Sequence, residues 1–161
     1  MKRAGFFVLL VLLFNLLAAC GAGHDAKIQI PPESEIGLEE RASVKIQITV
    51  GDEALFATPE DNSSSEAFLA LLQERPITVQ MSDYAGMEKV GPLGTNLPRN
   101  DTQISVGTGD VILYQGNQIT IYYGTNSWNF TKLAVIEGAT KESLLGVLGS
   151  GDVEVTFSLS K

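Results

Sequence analysis

Residues 109–124, GDVILYQGNQITIYYG, decide how the second half of this chain folds. Val111 to Gln115 reads as an apolar strand, and Gly116-Asn117 is a residue pair that closes tight hairpins. Beyond it, Ile119, Ile121 and Tyr123 alternate with Gln118, Thr120 and Tyr122. That period of two is imposed by a strand with two different faces. Two antiparallel strands are predicted, with Tyr122 and Tyr123 on opposite sides of the sheet.

The same reasoning extends outward. Downstream, Gly124 to Trp128 reads as a loop and Lys132 to Glu137 as a strand. Thr140 caps a short helix through Val147 whose apolar positions include Leu144 and Leu145, and Val153, Val155, Phe157 and Leu159 alternate in a closing strand. Upstream, Ile104 to Val106 is a short strand, preceded by a stretch from Ser82 to Gln103 rich in Gly, Pro, Asn and Asp. A segment of that length holds function or conceals structure, and Met87 to Val90 is its best candidate strand. Ile77 to Met81 is another strand, and Pro76 ends a helix that begins at a Ser63/Glu66 capping box and carries Phe68, Leu69, Leu71 and Leu72. Ser43–Val50 and Glu53–Thr58 form a hairpin across Gly51-Asp52. Seven or eight short strands and two helices without a βαβ rhythm predict a mainly β barrel or sandwich, with the helices over the open ends of a barrel.

The opening stretch, with Asn126-Ser-Trp-Asn-Phe130 and Lys132 to Gly138, resembles the bacterial cyclophilin-like family. So do Met81-Ser-Asp-Tyr-Ala-Gly-Met-Glu-Lys89 and Leu93-Gly-Thr-Asn-Leu-Pro98. The resemblance runs from about Val44 to Leu159 and implies a closed barrel of about eight strands capped by two short helices. Eukaryotic-type cyclophilins are peptidyl-prolyl isomerases whose catalytic face carries Phe-His-Arg and Gln-Gly-Gly-Asp segments. Neither occurs here, and the chain's one histidine, His24, lies before the domain. Arg99 is the arginine left as a candidate donor to a proline amide nitrogen.

The N-terminus reads separately. Lys2 and Arg3 precede a 13-residue apolar run from Gly5 to Leu17, broken only by Asn15. It is too short to span a bilayer of about 30 Å and has the length of a signal-peptide core. It ends in Leu17-Ala18-Ala19-Cys20, which matches the bacterial lipobox and so implies diacylglycerol attachment at Cys20. The expected organisation is a lipoprotein signal peptide over 1–19, a lipidated cysteine and flexible tether over 20–41, and the barrel domain over 42–161. That places the protein in a cell envelope, anchored outside the cytoplasmic membrane or in the outer membrane.

Charge and composition exclude some chemistry. All 19 acidic residues follow Cys20, against nine of the 11 basic ones. Such a surface does not bind nucleic acid, which needs a Lys/Arg face. Cys20 is the one cysteine, so no intrachain disulfide can form. No ligand set for a metal is visible, and no cofactor is implied. Asp83, Asp101 and Asp110 could look like acid–base pairs, but Asp110 follows Gly109 at a strand entrance, where aspartate caps turns, and Ser63-Ser-Ser65 reads as a helix start without a base to activate it.

What remains is a concentration of aromatic rings beside amides, the composition of a ligand groove. Tyr84, Tyr114 and Trp128, with Gln115 and Asn126 as polar contacts, are the candidate binding residues. Three functions stay open on this reading. One is a monomeric module that binds a peptide or small molecule. Another is a weak prolyl isomerase of exported proteins, acting through Arg99. The third is a structural partner in an envelope assembly.

Overall fold

The computed structural model describes residues 44–160. The segment expected to be a signal peptide, Cys20, His24 and the stretch expected to be a tether lie outside the described residues. The chain forms β1 (Ile46–Val50), β2 (Glu53–Pro59), helix α1 (Ser63–Glu74), β3 (Ile77–Tyr84), β4 (Glu88–Pro92), β5 (Thr102–Val106), β6 (Asp110–Tyr114), β7 (Gln118–Tyr122), β8 (Asn126–Ile136), helix α2 (Lys141–Leu148) and β9 (Val153–Leu159).

Eight of these strands close a barrel in the order β2-β1-β9-β3-β4-β7-β6-β8, every neighbouring pair antiparallel. Pairing of Ala57 with Ile136 and of Pro59 with Ala134 joins β8 back to β2, so the barrel itself has no free edge. The alternation read from the sequence fills its interior. Ile46, Ile48, Val79, Met81, Val111, Leu113, Ile119, Ile121, Val155 and Phe157 point inward and are buried. Both helices add to this core: α1 supplies Phe68, which meets Phe157 edge-on at 5.8 Å, and α2 supplies Leu144 and Leu148.

Local chemistry sets the helix ends. The cap of α1 is Asn62, not Ser63. Its extended backbone lets the side-chain oxygen accept from the amides of Ser64 and Ser65, both at 3.0 Å. The hydroxyls of Ser64 and Ser65 then donate to the carbonyls of Pro98 and Leu133, each at 2.6 Å, and pin the helix to the barrel. Thr140 caps α2 as expected, with Ser143 completing a reciprocal capping box.

Three segments differ from the sequence reading. The Ser82–Gln103 stretch contains the end of β3, all of β4 and the start of β5, leaving 93–101 irregular. That remainder is tied down by the amides of Leu93 and Leu97, which donate to Asn117 and Gly116 at 2.8 Å. The hairpin turn of β6–β7 is centred on Gln115-Gly116, both left-handed at φ 53° and 82°, rather than on Gly116-Asn117. The third segment is Gly124–Trp128. Its residues 126–128 are not a loop but the start of an eleven-residue β8. No burial pattern betrays it, because Asn126 to Asn129 are all exposed. It is extended because β5 pairs with it, Thr102 with Phe130 through Val106 with Asn126.

β5 is therefore a ninth strand outside the closed barrel. With the first half of β8 it shelters a second, smaller cluster of Val106, Ile112, Tyr122 and Phe130. Ile112 and Tyr122 alternate with Val111, Leu113 and Ile121 of the interior, so this cluster lies on the barrel's outer face.

Candidate functional site

The site is built on that outer face. Register puts Glu88 opposite Tyr122 and Val90 opposite Thr120, while β6 places Ile112 beside Thr120 and Tyr114 beside Gln118. Tyr84 adds to the row by pairing with Glu88. Alternation turns all of these side chains to one side of the wall. The first half of β8 supplies the other side through Asn126, Trp128 and Phe130. Phe130 packs against Tyr122 and Tyr114 with ring centroids 5.9 and 6.2 Å apart. Between them lies a cavity of about 310 Å³. Tyr84 and Trp128, 61% and 60% exposed, stand at its rim.

The floor is unusual. Glu88 is 8% exposed and its Oε2 has no hydrogen-bond partner; the same holds for Oγ1 of the buried Thr120. These are the two buried side-chain polar atoms left unpaired among the described residues, and both belong to groove residues. Burial pushes the Glu88 carboxyl above the usual carboxylate range, partly offset by a hydrogen bond with the Tyr122 hydroxyl. The Tyr122 phenol is raised in turn by burial and by Glu88. Asn126 Nδ2 donates to the Tyr122 oxygen at 3.4 Å. No lysine, arginine or histidine lines the groove.

The next residue along β4 faces the other way. Lys89 is fully buried, and its Nζ donates to the carbonyl of Gly151 at 2.6 Å and lies 3.6 Å from Asp83. The Tyr123 hydroxyl also donates to Asp83. That bond, the Gly86 amide and Lys89 hold the Asp83 carboxyl below the usual range. Asp110 stabilises a turn, accepting from the Gly107 amide at 2.8 Å, and pairs with Lys132. Among the described residues, no three acidic, histidine or cysteine side chains gather where they would hold a metal.

The cyclophilin-like family model matches residues 48–158. The chain belongs to the cyclophilin-like family. No curated protein matches it. Within this cyclophilin-like barrel, four of the five residues expected to bind ligand come together: Tyr84, Tyr114, Asn126 and Trp128 all line the groove. Gln115 does not. It occupies the left-handed turn position and donates to the Tyr114 hydroxyl at 3.1 Å. Arg99 lies in the irregular 93–101 segment, away from the groove lining, with its guanidinium engaged by Asp101 and its aliphatic stem over Gly116. Glu88, Val90, Gln118, Thr120, Tyr122 and Phe130 also line the groove and are not among the candidates read from the sequence. The available signal was the period of two in Glu88-Lys89-Val90. It sets Glu88 and Val90 on one face, but not that the face is covered.

Proposed function

We propose that this protein is a membrane-anchored extracytoplasmic lipoprotein whose cyclophilin-like domain binds a ligand in the groove between β4–β7–β6 and the first half of β8. A peptide segment or a small molecule would suit the size, since ligand sites run from about 300 to 1,000 Å³. The observation that carries this reading is the pairing of an aromatic-lined cavity with buried polar atoms that lack partners. An unsatisfied buried polar group costs a protein about 1–3 kcal/mol, and such groups persist where a ligand completes them. The anchoring half of the reading rests on the Lys2–Cys20 sequence.

Trp128 is the one tryptophan of the chain, so its fluorescence reports on the groove directly. The full chain in a non-ionic detergent, titrated with short peptides, should show a saturable Trp128 change that Tyr114→Ala abolishes without unfolding the barrel. Proline-containing peptides followed by NMR exchange spectroscopy separate binding from isomerisation. Shift changes without cis–trans exchange are expected, given where Arg99 lies. Fractionation tests the anchor: Cys20→Ala should move the protein out of the membrane fraction, and an unchanged distribution would refute lipid attachment.

A further inference from the structure

Resting on the groove reading, we infer that the ligand presents an alkylammonium group, which enters between Tyr114, Tyr122 and Trp128 and takes the Glu88 carboxylate as its counter-charge. Four observations converge on this chemistry. The groove contains a single formal charge, that of Glu88, and no basic residue to attract an anion. The Glu88 carboxyl keeps one buried oxygen, Oε2, without a partner, which leaves it for a donor. Thr120, a diagonal neighbour of Glu88 on the same face, adds a second unpaired oxygen. An ammonium carries three N–H donors and no acceptor, so it matches the vacant acceptor Glu88 Oε2 and can also donate to the lone pairs of the Thr120 hydroxyl.

The walls agree with the floor. Tyr84, Tyr114, Tyr122, Trp128 and Phe130 surround the cavity, and the faces of such rings attract cations. The aliphatic stem of an alkylammonium would lie along Val90 and Phe130. A cavity of about 310 Å³ has room for an amine-bearing chain the size of a lysine side chain. The chain's net charge of −8 also favours a cation at long range.

An alkylammonium can come from a lysine side chain in a peptide or from a free amine. The test uses both. The full chain in non-ionic detergent is titrated with N-acetyl-lysine methylamide, with its norleucine counterpart (which keeps the chain and lacks the ammonium), and with n-butylamine, followed by Trp128 fluorescence. The lysine compound should bind at least tenfold more tightly than the norleucine compound, and Glu88→Gln should erase that ratio while the melting temperature holds or rises. Equal binding of the charged and neutral compounds overturns the cation inference and leaves the groove reading standing. No fluorescence response to any of the three overturns both. Tighter binding of butylamine than of the lysine compound keeps the cation site and assigns it to free amines. A Glu88→Gln variant that retains the tenfold ratio also defeats the inference, whatever its stability.

Discussion

Lys89 and Glu88 are neighbours in β4, both buried, both charged by type, and they differ in one respect. Lys89 turns into the barrel and has partners in Gly151 and Asp83. Glu88 turns to the outer face and has an oxygen without one. A buried charge is stable when paired and costly when it is not, so the inner side of the wall is complete in itself and the outer side carries an unmet polar group, which is what the proposed ligand would supply. The same contrast holds one pair of strands over: Tyr123 completes the inner cluster through Asp83, and Tyr122 leaves Glu88 half satisfied.

The largest expected effect comes from breaking the inner side. Lys89→Ala should lower unfolding stability by about 3 kcal/mol, through the cavity left by a fully buried side chain and the loss of its bond to the Gly151 carbonyl. Chemical denaturation checks it, with Lys89→Met expected to recover much of the loss. The inner cluster also fixes the acid limb of stability. Because the Asp83 carboxyl is lowered when folded, its contribution is present above its unfolded value of 3.8 and disappears as pH falls through the folded one. The Tyr123 bond is the largest cause of that lowering. Tyr123→Phe should therefore melt lower than wild type near neutrality, and the two curves should converge as pH drops below 3.8.

On the outer side the sign reverses. Glu88→Gln should raise stability at neutral pH by about 1 kcal/mol, because a charge no longer has to be buried. The Glu88 carboxyl is raised when folded, so its wild-type contribution is full below the unfolded value of 4.5 and is lost as pH climbs through the folded one. The advantage of Glu88→Gln should thus be absent in acid and grow as pH rises above 4.5. Tyr122 is the titratable partner that faces Glu88, and it stays protonated throughout because its phenol is raised. Thr120→Val, which removes the other unpaired oxygen at nearly constant volume, should stabilise by about 1 kcal/mol or less, read from the same denaturation curves. Both gains would mark residues kept for binding rather than for folding.

The sequence made the inner side legible and hid the outer one for a physical reason. Alternation reports which residues share a face, and Ile119, Ile121 and Tyr123 showed the barrel's interior because they are apolar. On β4, with Glu88 and Lys89 adjacent, either face would read as solvent. Burial there comes from distant segments: the Gly151 region on one side, the first half of β8 on the other. The half-strand Asn126–Asn129 was hidden in the same way, since its exposed polar residues carry no pattern and only its pairing with β5 makes it extended. The aromatics were legible as a set because their type alone announces a groove, although Trp128 was expected on a loop.

Gln115 offers the smallest and most discriminating change. By composition it belonged with the groove residues, and by geometry it belongs to the turn. Holding a non-glycine residue at φ 53° costs about 1 kcal/mol or more, which glycine would relieve. Glycine would also loosen the unfolded chain by about 0.4–1 kcal/mol, and the hydrogen bond to the Tyr114 hydroxyl would be lost. These effects nearly cancel, so Gln115→Gly should leave stability within about 0.5 kcal/mol of wild type. Its ligand affinity should likewise stay within a factor of two. A larger loss of affinity at unchanged stability would show that the Gln115 amide reaches the ligand by turning away from Tyr114, and would extend the groove past its present rim onto the β6–β7 turn.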